Sequence, residues 1–503
     1  MAIRLNWRGG LVFPAAILSI LSMHYADAQV STTVAVLPTS QLGDASVTPT
    51  ERIQAYTYGV DAGIGETDNV TLAPSNKISQ TMSTVDADFS VNERSRLFDV
   101  NAVGSFTDLD YLQHAYGNEL LGRFDGVADA AIVPGRLTWT LRDDFGQQGF
   151  NPYTPATPTN IENVNYLTTG PELKLPFGGI DYVNLSARYA RAQYQKSPFD
   201  SNRLLGSAAL GRNVSADASV SLNANTERVL FDNTTVNTDF ERSSGFGRYE
   251  VHGARTDLVG EVGGTVVSQS GASKILSEPT LGSGTTGAVG SNAPVAANEP
   301  NGSGSVSGPL AKLDITRRIS AAAKLIVTVG RDLTDTSSSF ANQSTAVTGI
   351  NPVTSAELTS ATYRMTYATA GWQYQRNRTT MSLTGRWETD IYPGLSTLDT
   401  RITGADLKVE RRITRTFTAE LLGHLYKTDY PHAVLESEAA GSTDMTDTLL
   451  GASLTWRHGR ALEVRLRLDH DWYTVTNGNT GYKETRGFLT VGYRPKTTAP
   501  PEP

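Results

Sequence analysis

Two stretches, LDITRRISAAAKLIVTVG from Leu313 to Gly330 and LKVERRITRTFTAELLG from Leu407 to Gly423, share one grammar. Each alternates apolar and polar residues, hinges on two adjacent arginines (Arg317-Arg318, Arg411-Arg412), and alternates again. Successive side chains of a strand point to opposite faces, so period two marks a strand with one apolar face. Two such runs joined by a short polar hinge read as an antiparallel hairpin.

The pattern recurs along the chain. In ALEVRLRLDHDWY, Leu462, Val464, Leu466, Leu468 and Trp472 oppose Glu463, Arg465, Arg467, Asp469 and Asp471. LFDVNAVGSF, TMSLTGRWE and SADASVSLNAN divide in the same way. Short hinges fall at NERSR (Asn92), VPGR (Val133), PFGG (Pro176), GRNVS (Gly211), HGART (His252), TRRIS (Thr316), QRNRT (Gln375), ERRIT (Glu410) and RHGRA (Arg457). Between them lie longer polar connections, the longest from about Ser270 to Gly308 and rich in Gly, Ser and Ala. Alternation of short and long connections distinguishes a transmembrane barrel, with tight periplasmic turns and long extracellular loops, from a soluble sandwich.

A strand on each side of every hinge, a first near Ile53 to Gly65 and a last near Tyr482 to Arg494 give about twenty, within a range of about 16 to 20. The fold expected is all-β: a transmembrane, antiparallel, up-and-down outer-membrane β-barrel over residues 52–494, followed by a periplasmic tail, 495–503. Composition agrees. Only 39% of the 503 residues are apolar, too lean for a thick conventional core but enough for the outward face of a barrel. In hydrocarbon every backbone polar group must be paired within the protein, and a sheet manages that only by closing on itself. Trp139, Tyr363, Tyr367, Trp387, Trp472 and Tyr473 are the aromatics expected at the membrane interfaces.

At the start, Arg4 and Arg8 precede the apolar run LVFPAAILSILSM, and Ala26-Asp27-Ala28 supplies a cleavage site. This is the layout of a signal peptide over residues 1–28, leaving Gln29 first and a polar periplasmic linker over 29–51. The stretch from Gln29 to Arg52 is far too short for a plug domain. The formal charge is −8 with no basic block, which argues against nucleic acid. There is no cysteine, which rules out disulfides, thiolate metal sites, thiol catalysis and a lipidated cysteine.

Chemical motifs are sparse. No H-E-x-x-H, G-x-S-x-G or Walker loop occurs, and GSGTTG at Gly282 matches G-x-G-x-x-G without the strand and helix that would give it meaning. His470 lies between Asp469 and Asp471, but on a strand it points away from both. Asp61, Glu66 and Asp68 read as solvated loop charges rather than a divalent-cation site. No catalytic, cofactor or metal site is expected. The candidate functional residues are a mixed-charge lumen lining: Arg123, Asp129, Arg142, Asp144, Arg364, Arg386, Glu388, Glu463, Arg465 and Arg467. A barrel of about sixteen or more strands leaves an aqueous channel unless loops fill it.

After the linker, YTYGVDAGIGETDNVTLAPSN runs a first strand into D-N-V-x-L-x-P, and hairpins with basic turns follow to the C-terminus. The chain thereby resembles the β-barrel porin type 2 group and related outer-membrane barrels of exopolysaccharide and exosortase loci in Gram-negative bacteria. The last strand departs from many such barrels by continuing from GFLTVGYRP into KTTAPPEP. The resemblance implies a porin-like channel, for polysaccharide, oligosaccharide or other hydrophilic solutes. It also implies outer-membrane lipid and lipopolysaccharide, the barrel-assembly machinery and polysaccharide-export components as partners. A structural or adhesion barrel with binding loops, or a barrel enzyme acting on lipid or glycan, is the alternative.

Overall fold

The computed structural model describes residues 53–149, 155–269, 276–278, 295–297, 304–342, 360–432, 443–459, 461–476 and 481–495. The leader, the linker, GSGTTG and all but the first residue of the tail lie outside the described residues.

The first eleven strands are β1 (Ile53–Thr67), β2 (Gln80–Arg94), β3 (Phe98–Tyr111), β4 (Glu119–Val133), β5 (Leu137–Gly149), β6 (Ile161–Phe177), β7 (Asp181–Tyr194), β8 (Ser201–Asn213), β9 (Ala218–Phe231), β10 (Phe240–His252) and β11 (Thr256–Gln269). Within the long connection, β12 (Leu276–Glu278) and β13 (Val295–Ala297) pair only with each other. Then come β14 (Ser305–Ser320), β15 (Ala323–Asp335), helix α1 (Thr336–Asn342), β16 (Thr362–Arg376), β17 (Thr379–Ile391), β18 (Thr400–Arg412), β19 (Phe417–Tyr430), β20 (Thr443–His458), β21 (Leu462–Val475) and β22 (Tyr482–Tyr493). All but β12 and β13 form one 20-stranded sheet, each strand antiparallel to its chain neighbours, and β1 pairs with β22 to close it. All nine predicted hinges are turns at one end. At one of them Asn377 takes the left-handed conformation that a tight turn needs, φ 52°.

β14 begins at Ser305, and its first four residues pair with β11, so the long connection is shorter than the sequence suggests. Residues 163–174 and 242–251, where alternation of apolar and polar residues is least regular, lie within β6 and β10.

Register fixes the faces. In β21, Leu462, Leu466 and Leu468 are exposed outside while Glu463, Asp469 and Asp471 are buried inside. Leu222 on β9 and Val262 on β11 are 70% and 73% exposed. Such an apolar exterior around a closed sheet is unfavourable in water and favourable in lipid. The protein is a transmembrane barrel of the outer membrane.

Not every aromatic lies in the interfacial belt. Trp139 and Trp387 do face outward, at 47% and 42% exposure. Tyr363 and Tyr367 instead share the inward face of β16 with Met365, and Tyr473 stacks inside on Tyr482 at 5.3 Å between ring centroids.

The seam between β1 and β22 spans eight residue pairs, Val60–Thr67 against Arg486–Tyr493, against fifteen between β1 and β2. The D-N-V-x-L-x-P motif reinforces it. Asn69, fully buried, accepts from the Ala73 amide at 3.0 Å and donates to the carbonyls of Ala73 at 2.8 Å and Lys483 at 3.1 Å. The Thr485 amide donates to Asp68 at 2.7 Å, and Thr67 donates to Glu484 at 2.5 Å. Lower on the seam Arg494 donates to Asp61 at 3.0 Å and also to Asp88. Asp61 is therefore an inner-wall ion-pair partner, not a solvated loop charge. A side chain at Gly492 would place its Cβ 1.5 Å from the Asp61 carboxylate, so the contact requires glycine there. Asn69→Ala leaves buried backbone groups unpaired on both sides of the seam and should cost about 1 to 3 kcal/mol. A denaturation midpoint unchanged in lipid vesicles would sink this role.

Candidate functional site: a polar conduit

A cavity of about 1230 Å³ occupies the barrel interior. Its lining includes Tyr182, Asp257 and Lys324 near the short turns, and Asn160, Tyr430 and Tyr482 near the long loops. The cavity thus runs most of the height of the wall.

Charged residues line it because each strand that carries an apolar outer face puts its polar set inside. Arg142 donates to Asp144 through two nitrogens at 2.9 and 3.0 Å, and Arg386 donates to Glu388 at 2.6 Å. Arg465 donates to Glu463 at 2.9 Å, and Arg467 to Asp469 at 2.9 and 3.0 Å. These partners are two residues apart on one strand, the spacing that sets side chains one above the other on the same face. Arg248 joins Glu250 at 3.1 Å along its strand and Glu261 at 3.0 Å on the strand beside it. The ladders neutralise charge along the wall and so leave the bore open.

Most of the predicted lining residues are set inward by register. Arg123 stands opposite Ser105, and Asp129 accepts from the Thr140 hydroxyl at 2.6 Å. Arg364 pairs with Leu333, in the alternate set from Met365 and Tyr367, yet it also stays within the barrel: a Cβ on the inward-facing Gly308 would lie 3.6 Å from the Arg364 Nε and 3.5 Å from Leu333, which itself packs on the inner wall.

One element was invisible in the sequence. β14 and β15 pair only as far as Ala311 and Arg331. Above that point β14 stays with β11, whereas residues 332–335 of β15 pair with β16 alone. The β15 tip leaves the wall and continues into α1 inside the barrel. There Leu333 packs on Val229, Phe231, Phe240 and Val267, while Phe340 and Ala341 pack on Val164, Tyr166, Ala190, Ala192 and Tyr194.

Polar anchors hold the insertion. Arg203, with no exposed surface, grips the Asp335 carboxylate at 2.6 and 3.2 Å, reaches Glu227 at 3.1 Å, and donates to Ser338 at 3.0 Å. Arg242 donates to Glu227 and to the Leu333 carbonyl at 3.3 Å. Arg142 donates to the Ala341 carbonyl at 2.6 Å, and the Tyr194 and Ser337 hydroxyls are 2.7 Å apart. Two or more donors per carboxylate in a site shut off from water make a stiff anchor. The residues that carry it, Arg203, Glu227, Arg242 and Asp335, were not singled out in the sequence.

His470 faces outward, beside Thr485 at 2.8 Å and edge-on to Trp472, apart from its flanking aspartates. Among the described residues no group of three or more histidines and carboxylates is placed to hold a metal ion.

No family model and no curated protein matches the chain. Solved structures do. The copper transporter OprC is similar at 12% identity over 88% of this chain and 82% of that one, with a TM-score of 0.37. The FrpB iron transporter from Neisseria meningitidis, F5-1 variant, gives 9% identity over 87% and 82% of the two chains, TM-score 0.41. The siderophore receptor PirA from Pseudomonas aeruginosa gives 10% over 89% and 81%, TM-score 0.38. At these values the likeness is one of general architecture and assigns no cargo.

Proposed function

We propose that the protein is a conduit for hydrophilic solutes across the outer membrane, and that oligosaccharide or polysaccharide chains are its solute class. The observation that carries the first part is a polar cavity reaching residues near both ends of the barrel. The support for the second part is the sequence resemblance to exopolysaccharide-locus barrels. Wall charges paired along the strands suit passage of uncharged hydroxyl-rich solutes as well as ions, because few bare charges stand in the bore to trap either. No step of bond making or breaking is assigned to it.

Planar-bilayer recording of the refolded mature chain tests the reading. The expected result is stepwise conductance that soluble oligosaccharides reduce in a length-dependent manner. Insertion without conductance would overturn the conduit, and conductance indifferent to every oligosaccharide would overturn the solute class while leaving the conduit.

A further inference from the structure

The basic hinges that opened the sequence are not alike in three dimensions. On several turns the cation is neutralised: Arg94 by Asp99 at 2.9 Å, Arg212 by Asp181 at 2.6 Å, Arg457 by Glu463 at 3.0 Å. Along the arc from β14 to β19 the turns TRRIS, QRNRT and ERRIT follow one another around the rim, and their arginines are exposed. Arg378 and Arg412 reach only the carbonyls of Ile413 and Asn377, at 3.4 and 3.2 Å, with no carboxylate partner among the described residues.

Arg318 and Lys324 stand directly opposite each other in register, next to a bulge, and both line the cavity. Like charges face to face across two strands are unfavourable, and elsewhere the inner wall places a carboxylate beside its cations. Register separates the arc into two sets. Arg318, Lys324 and Arg412 point inward, whereas Arg317, Arg376 and Arg411 point outward toward the membrane surface.

The geometry points to a capture site for a polyanionic solute, a flexible chain bearing carboxylate or phosphate groups, at the periplasmic mouth of the conduit. This deepens the conduit reading and rests on it for the solute's passage. A folded partner docking on the rim would need charge on the outer surface only, whereas here the uncompensated cations continue into the bore. The inner face of the arc also carries Glu410 opposite Glu420, the latter paired with Lys408 at 3.0 Å, which leaves its cations in excess. An excess of one sign of charge between low-dielectric walls focuses the field along the axis and raises the local concentration of the opposite charge. A chain of anionic units engages successive cations in a way a small anion cannot.

The test uses the refolded full mature chain in nanodiscs of neutral phosphatidylcholine, with a fluorescein-labelled oligogalacturonate as probe and a neutral maltooligosaccharide of equal length as control. The inward variant combines Arg318→Ser, Lys324→Ser and Arg412→Ser; the outward variant combines Arg317→Ser, Arg376→Ser and Arg411→Ser. The expected result is binding of the anionic oligomer alone, weakened about tenfold or more by the inward variant and less than about twofold by the outward one. Binding to the unaltered barrel should also fall between 0.01 and 0.15 M salt, as the screening length shrinks from about 30 to about 8 Å. That salt series holds even if a variant folds poorly.

Equal binding of the neutral oligomer, salt-independent binding, or loss confined to the outward variant would overturn the capture site. The last of these would assign the arc to anionic lipid headgroups. Conductance of the same preparations separates the two readings. An open channel that binds no polyanion sinks the site and spares the conduit, whereas salt-sensitive polyanion binding without conductance does the reverse.

Discussion

Asp335→Ala widens the conduit and weakens the fold together. Asp335 is the group on which Arg203 and Arg242 converge from the wall, and removing it leaves the fully buried Arg203 with one of its two carboxylate partners. Breaking a buried ion pair from one side costs about 3 to 5 kcal/mol, most of it the desolvation of the charge left behind. The β15 tip and α1, held inside by that contact, should then move off the wall. The measurements are single-channel conductance, expected to rise, and the temperature at which the compact barrel band is lost on a gel, expected to fall. Deleting 336–342 should raise conductance with a smaller loss of stability, since Asp335 and its arginines remain. Unchanged conductance in both variants would mean that α1 does not set the bore.

The second large effect is a contrast of neighbours. Leu466→Arg should block assembly, while Arg467→Leu should be tolerated. Leu466 is 48% exposed on the lipid face near the middle of β21, where a cation costs about 2 to 4 kcal/mol. Arg467 faces the lumen and is held by Asp469. Its loss leaves Asp469, 4% exposed, with Arg486 directly opposite on β22 still beside it, so a smaller cost remains. Folding yield into lipid vesicles decides the matter, and equal yields or the reverse order would refute the face assignment.

Much of this architecture was legible in the chain. Period two located the strands because a barrel wall has one face in lipid and one in water, a contrast repeated over every crossing. The hinges were legible because arginine, asparagine, glycine and proline interrupt the alternation at regular places. Three tyrosines depart from the interfacial belt because parity outweighs aromatic identity: the outward set of β16 runs through Ala368, Ala370 and Trp372, which puts Tyr363 and Tyr367 inside, and Tyr473 shares the inward set of β21 with Glu463 and Asp471. The wall ladders, such as Arg386 with Glu388 and Arg467 with Asp469, carried a readable signal in their spacing of two.

The inward helix carried none. TSSSFAN has no amphipathic stripe, and its capping residue Asp335, which accepts from the Ser338 amide at 3.5 Å, reads in the sequence as one more polar residue of β15. Its anchors Arg203, Glu227 and Arg242 lie about a hundred residues earlier in the chain, where nothing local pairs them with Asp335.

The seam has a consequence in time. Its clamps join residues at opposite ends of the chain, Asn69 to Lys483 and Arg494 to Asp61, with sequence separations of 414 and 433. Contacts this distant are the slowest to find, so closure belongs to the end of assembly. Until β22 arrives, β1 and β21 both present bare edges, which hydrocarbon does not tolerate. Nearly all the polypeptide must therefore be delivered before any of it can rest in the bilayer, and the buried asparagine of the first loop waits through the whole process for the last strand it receives.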